Sequence, residues 1–220
     1  VPVMEQHRYK EYAKIMLSSL PNLPANRPVH MFGCGHPMLF PMSIALGADL
    51  FDSAAYALFA RDGRLLTPWG TEKIANLVDW PVTTPSIASL TPEEVRAMDG
   101  KERTKLLSKY NLEVTLAELA RCKQAVRDGT IWRMAERRSH QHPALREAFL
   151  WLITNPSMGH VSKMMKDEMI LDEKLASQEM GSEKGAWESS WDWIVKSQTT
   201  PRKGGESWGG KDSLPRPHII

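Results

Sequence analysis

Residues 49–52, Asp49-Leu50-Phe51-Asp52, end a short apolar run in a carboxylate. An anionic oxygen in that place can act as a nucleophile or stabilise positive charge. Upstream, Val29-His30-Met31-Phe32 meets a Gly33-Cys34-Gly35-His36-Pro37 turn, and an apolar helix-like segment over 37–47 leads to Asp49. Strand, glycine turn, helix, strand is a βαβ pattern, and it sets Asp52 at the end of the second strand. Barrels of parallel strands carry their chemistry at that end. Each signal alone is weak. A single Asp after an apolar dipeptide is more often a helix cap or turn residue, and Gly-x-Gly turns follow strands in many α/β proteins.

The elements that must hold this motif are legible around it. Tyr9, Tyr12, Ala13, Met16 and Leu20 share one face of a helix predicted over 6–20. Pro21, Pro24 and Pro28 then make a loop. Residues 53–61 are ambiguous between helix and loop, 62–69 read as a turn and short strand, and 70–77 as a brief helix. Residues 79–90 form a connector rich in Pro, Ser and Thr. Thr91-Pro92-Glu93-Glu94 is a helix start. A long helix is predicted over 101–128, with Asn111 as a candidate break, and two more over 131–139 and 143–154. Residues 158–180 are predicted helical in part. The last forty residues scatter Trp187, Trp191, Trp193 and Trp208 among Gly, Ser and Lys.

Composition sets bounds. A hydrophobic share of 42% and a charged share of 25% are those of an ordinary globular chain. No apolar run reaches membrane-spanning length, and no secretory leader is visible. Two cysteines, Cys34 and Cys122, are too few for a disulfide framework and fit a reducing cytoplasm. The formal net charge of +2 does not by itself point to nucleic acid. Locally, residues 121–146 hold seven Arg or Lys against Asp128 and Glu136. That excess fits a phosphate-facing surface or a solvated helix face, and both readings stay open. The first residues, Val1-Pro2-Val3-Met4-Glu5, and the last, Pro215 onward, are expected to belong to something larger.

In combination the motifs are specific. The run over 28–64, PVHMFGCGHP…ALGADLFDSAAYALFARDGR, resembles the tRNA-guanine transglycosylase family in its archaeal, archaeosine-forming branch almost position by position. So does Val1-Pro2-Val3-Met4-Glu5 followed by Arg8-Tyr9. The strings KERTKLL at 101–107, AVRDG at 125–129 and HPAL at 142–145 match more loosely, and 211–217 resembles the family's link into RNA-binding domains. Only about 155–205 lies outside the likeness. The resemblance implies an α/β fold: the C-terminal part of a TIM-type (β/α)8 barrel over 1–78, then a degenerate zinc-subdomain region at 79–110. A largely helical segment at 111–180 and an irregular, Trp-rich tail at 181–220 would follow.

The resemblance implies base exchange in tRNA, with a 7-deazaguanine, 7-cyano-7-deazaguanine in the archaeal branch, replacing guanine. Asp52 would be the nucleophile, forming a covalent ribosyl-enzyme through an oxocarbenium-like transition state. Gly33 and Gly35 would let a flat purine approach the backbone and bond to their amides. Phe32 would stack on the base or serve as a core strand residue, and Glu5 would lie near the base pocket. Arg61 and Arg64 would touch tRNA phosphate or serve solubility, and Arg133, Arg137 and Arg138 belong to the basic stretch. His36 is read as a structural turn residue rather than a base.

Two departures from the family stand out. Its Cys-x-Cys-x-x-Cys cluster and later His, which hold a structural zinc, align with Val82, Thr84, Ile87 and Tyr110, so no metal or other cofactor is expected. The family's barrel also extends well ahead of residue 1, and carries there a further catalytic Asp and most base contacts. A second subunit or chain segment is therefore an expected partner, besides tRNA. The competing expectation is a non-catalytic partner subunit or tRNA-binding scaffold. A weaker one is the related archaeosine synthase.

Overall fold

The computed structural model describes residues 6–24 and 26–155. Glu5, the segment 158–180 and the Trp-rich tail therefore lie outside the described residues. At the centre is the expected βαβ unit. Strands β1 (His30–Phe32) and β2 (Leu50–Asp52) pair in parallel, with Phe32 opposite Asp52. Their crossover is a 3-10 turn (Pro37–Leu39) running into helix α2 (Phe40–Ala45). Pro37 and Pro41 sit in the first positions of these turns, where a missing N–H costs nothing. Every residue of α2 is buried, as an all-round apolar sequence requires.

Helix α1 (Tyr9–Ser19) buries Tyr9, Tyr12, Ala13 and Met16 along one stripe, the face its spacing predicts. That stripe meets α7 (Pro143–Thr154), which contributes Leu145, Ala148, Phe149 and Leu152. Trp132 and Ala135 of α6 (Ile131–Ser139) complete the same core.

A second core is built on a hairpin. Strands β3 (Arg64–Thr67) and β4 (Gly70–Lys73) pair antiparallel around Pro68-Trp69. The brief helix expected over 70–77 is thus mostly strand, and only Ile74–Asn76 turns as a 3-10 helix. The tight connection returns Gly70 opposite Thr67 and supplies ladder partners that a local reading of 70–77 cannot see. Residues 53–61, ambiguous in sequence, form α3 (Ala55–Arg61). Leu65, Ile74, Ile87, Val95, Leu107, Tyr110 and Val114 pack together beneath them.

Helix α4 (Pro92–Ala97) starts with the capping box read from sequence: Thr91 Oγ accepts the Glu94 amide, and the Glu94 carboxylate accepts the Thr91 amide. Helix α5 (Gly100–Arg127) has 28 residues, spans about 42 Å and serves both cores. It runs unbroken through Asn111 and across the boundary expected at 110. Asn111 is buried, and its side chain accepts the Leu66 amide at 2.7 Å and donates to the Tyr56 and Arg64 carbonyls. Among the described residues the strands form two two-stranded sheets and no closed barrel, so the fold is α/β in the coarser sense. No helix among them is long and apolar enough to cross a membrane.

Candidate functional site

The register of β1 on β2 is set by Asp49. Its amide donates to the Val29 carbonyl at 2.9 Å, and its buried carboxylate accepts the Val29 amide at 2.7 Å. With that end clamped, Met31 and Phe51 turn toward the core, where Phe51 lies against Phe40 at 4.8 Å between ring centroids. His30, Phe32 and Asp52 turn the other way and are exposed. Phe32 is 80% exposed among the described residues. Asp52 therefore ends β2 on an open face beside an uncovered aromatic.

The glycine turn is anchored from below. Gly33 takes φ +73°, and its amide donates to the Asp52 carbonyl at 2.8 Å. That amide is committed to the sheet, so it is not free to read a base edge as the sequence led us to expect. Cys34 is buried near the Tyr12 hydroxyl (3.8 Å) and the Ser43 hydroxyl (3.9 Å), which bond to each other at 2.6 Å. Burial pushes its thiol pKa up, so Cys34 is a neutral plug rather than a nucleophile. Gly35 sits against Ser53, the residue after Asp52, so the room expected for a purine on that side is filled by this side chain.

His36 caps the following turn: Nδ1 accepts the Met38 amide and Nε2 faces Thr71 Oγ, each at 3.2 Å. Burial, then the nearby His7 and His142, lower its pKa to about 4 and keep it neutral. This is the structural turn role the sequence predicts.

The arginines separate by environment. Arg61 is exposed at the end of α3. Arg64 lies over the Phe59 ring at 4.1 Å and pairs with Asp62 at 2.7 Å. Arg137 is exposed on α6 and Arg133 half-buried. Arg138 turns inward instead: Nε and Nη2 reach both oxygens of Glu118 at 2.7 and 3.1 Å, and Arg121 adds a third contact at 3.0 Å. Arg146 is likewise taken by Glu136 and Ser139. The basic stretch therefore presents fewer open charges than its composition implies, and Arg138 holds helices together. Glu118, fully buried, escaped the sequence reading, although it falls on the stripe Leu107, Asn111, Val114, Glu118, Cys122 that α5 buries.

The zinc that the resemblance implies finds no fitting donors. Val82 and Ile87 have none, and Ile87 is wholly buried in the second core with Tyr110. Burial raises the Tyr110 phenol pKa far from ionisation. Thr84 Oγ lies 3.1 Å from Ser86 Oγ. The loop is tied to α5 by Glu113, whose carboxylate accepts the Ser86 amide at 3.1 Å and its hydroxyl at 2.7 Å. Among the described residues no three His, Cys, Asp or Glu side chains are grouped to hold a metal.

A carboxylate at the carboxyl end of a parallel strand, beside a glycine turn and an exposed ring, defines an α/β protein with a strand-end acidic site. The family model described as queuine tRNA-ribosyltransferase matches residues 1–144. The chain belongs to that family. It is 51% identical over 152 residues to a tRNA-guanine(15) transglycosylase of Methanocaldococcus jannaschii, covering 68% of this chain and 23% of that protein. A protein of the same description from Methanococcus aeolicus is 49% identical over the same shares. One from Thermococcus onnurineus is 45% identical, covering 70% of this chain and 26% of the relative. The chain thus spans about a quarter of the length of the curated relatives it matches.

Proposed function

We propose that this chain supplies the nucleophile of a tRNA-guanine transglycosylase. The observation carrying the proposal is Asp52, exposed at the end of β2 and opposite the exposed Phe32, in a member of the family. In this reading an Asp52 carboxylate oxygen bonds to C1′ of a guanosine ribose as the C1′–N9 bond breaks. Guanine departs with the electron pair and gains a proton. A deprotonated 7-deazaguanine then attacks C1′ through N9 and releases the carboxylate, so the configuration is retained. Phe32 stacks on the base, and Arg61, Arg64 and Arg137 face tRNA phosphate.

The outer edges of the β1–β2 pair carry no further strand among the described residues. Two parallel strands are too few to bury their own surfaces. We infer that a second polypeptide or chain segment completes a barrel here and provides the remaining base contacts. No metal is needed at positions 82, 84, 87 and 110.

The test uses this chain assembled with that remainder and a guanosine-bearing tRNA. Wild type should form a denaturant-stable protein–RNA adduct and exchange guanine, and Asp52→Asn should do neither. Retained exchange in Asp52→Asn overturns the catalytic reading. It would leave the scaffold reading, which the abandoned metal positions favour.

A further inference from the structure

We propose that Gly35 and Ser53 form a steric lock that positions Asp52. Both are then positioning residues for the reaction proposed above, and the inference rests on that reading. Gly35 is not among the glycines with left-handed backbone, so conformation does not demand glycine there. Space does: a Cβ on residue 35 would overlap Ser53 Cβ and Oγ, while the Ser53 Cα would stand 3.5 Å away.

Both walls of this contact are tied. On one side, Ser53 Oγ accepts the Ala55 amide at 3.0 Å at the start of α3. The residue before it is held by the Gly33 amide on the Asp52 carbonyl at 2.8 Å. On the other side, the turn is pinned by the buried Cys34 side chain and by the His36 cap on Met38. A methyl at 35 must open the contact to ordinary separations of about 3.5–4.0 Å. The link that yields is the short one between two ties, and it carries Asp52. A shift near 1 Å at a reacting group costs about 100-fold in rate.

The lock makes a compensation prediction. Ser53→Gly removes both overlapping atoms and leaves the Cα at ordinary contact distance. Ser53 precedes the α3 N-cap Ala54, so the change gives up one Oγ bond to the Ala55 amide and leaves the cap residue in place. In the assembled protein, Gly35→Ala should lower kcat about 100-fold with KM for the incoming base within about twofold. Gly35→Ala/Ser53→Gly should recover at least about tenfold of that loss. In the full chain alone, melting temperature should fall with Gly35→Ala and return in the double variant, a readout independent of activity.

Wild-type kcat in Gly35→Ala overturns the lock. So does a raised KM at unchanged kcat, which assigns Gly35 to base contact, and so does a double variant as slow as the single. Failure of the underlying reading looks different: wild type itself forms no adduct. That outcome removes the positioning role, whatever the melting data show.

Discussion

With Nδ1 accepting the Met38 amide and Nε2 against Thr71, one ring nitrogen of His36 is engaged in its own turn and the other on β4. Its pKa near 4 lies below that of a free histidine because burial disfavours the cation, and His7 and His142 add to that. Above pH 6.5 both the folded and the unfolded states hold it neutral, so it contributes no pH dependence. As pH falls from 6.5 toward 4, the unfolded chain takes up a proton that the folded chain refuses, and stability declines with pH. The loss is about 3 kcal/mol across that window. His36→Asn retains a capping side chain and should flatten this part of the stability–pH curve, as measured by urea denaturation from pH 7 to 4. An unchanged slope would assign it to other groups. At this scale the sequence was informative about which residues matter and less so about how. Asp52 and the Gly-x-Gly turn stood out by type and spacing. That Gly35 makes room for Ser53, and that Gly33 donates to Asp52, depends on how the turn folds back on β2. Spacing along the chain does not carry that.

Helices of this chain were legible where an apolar stripe or a capping motif marked them. The Tyr9 to Met16 stripe of α1 is a case of the first and the Thr91–Glu94 box of α4 a case of the second. The hairpin was not, because Gly70–Lys73 owes its extended form to ladder partners in β3. On α5 the buried stripe includes two polar residues, and each has an account in contacts from other elements. Asn111 joins α5 to β3 and α3, while Glu118 joins it to α6. The Glu118 carboxylate is fully buried, whereas Arg138 is 22% exposed and Arg121 54%. The α5–α6 joint therefore depends on the bidentate Arg138 contact more than on Arg121. Removing one partner of such a pair strands a buried charge at a cost of about 3–5 kcal/mol, whereas replacing both with apolar groups is often neutral. Arg138→Ala should lower the melting temperature by roughly 6–20 °C at two to four degrees per kcal/mol. Glu118→Met/Arg138→Leu should recover most of that. Equal losses in the single and double variants would mean the joint depends on something other than the charge pair.

Among the described residues the two cores meet along α5, and β1–β2 packs one face on the first of them and leaves the other open. A family resemblance read from residues 28–64 carried the barrel and the missing partner as expectations, since those depend on chain that these residues do not include. The second core carries its own consequence. The positions that the resemblance aligns with the family's metal donors, Val82, Thr84, Ile87 and Tyr110, lie in or beside this core, with Trp80 tilted over Tyr110 at 6.0 Å and its indole N–H donating to the Leu90 carbonyl at 2.6 Å. Packing and the Glu113 tether to Ser86 then do what a metal would do, holding an irregular loop against α5. Metal binding to a native site stabilises by mass action, so a protein relying on it loses melting temperature in chelator. This chain should melt at the same temperature with and without EDTA, and added zinc should not raise it. Ile87→Ala should destabilise it by about 2–5 kcal/mol, because a wholly buried side chain leaves a cavity that its neighbours close only in part. A chelator-dependent melt, or an Ile87→Ala variant as stable as wild type, would show that the loop is held by something other than this core.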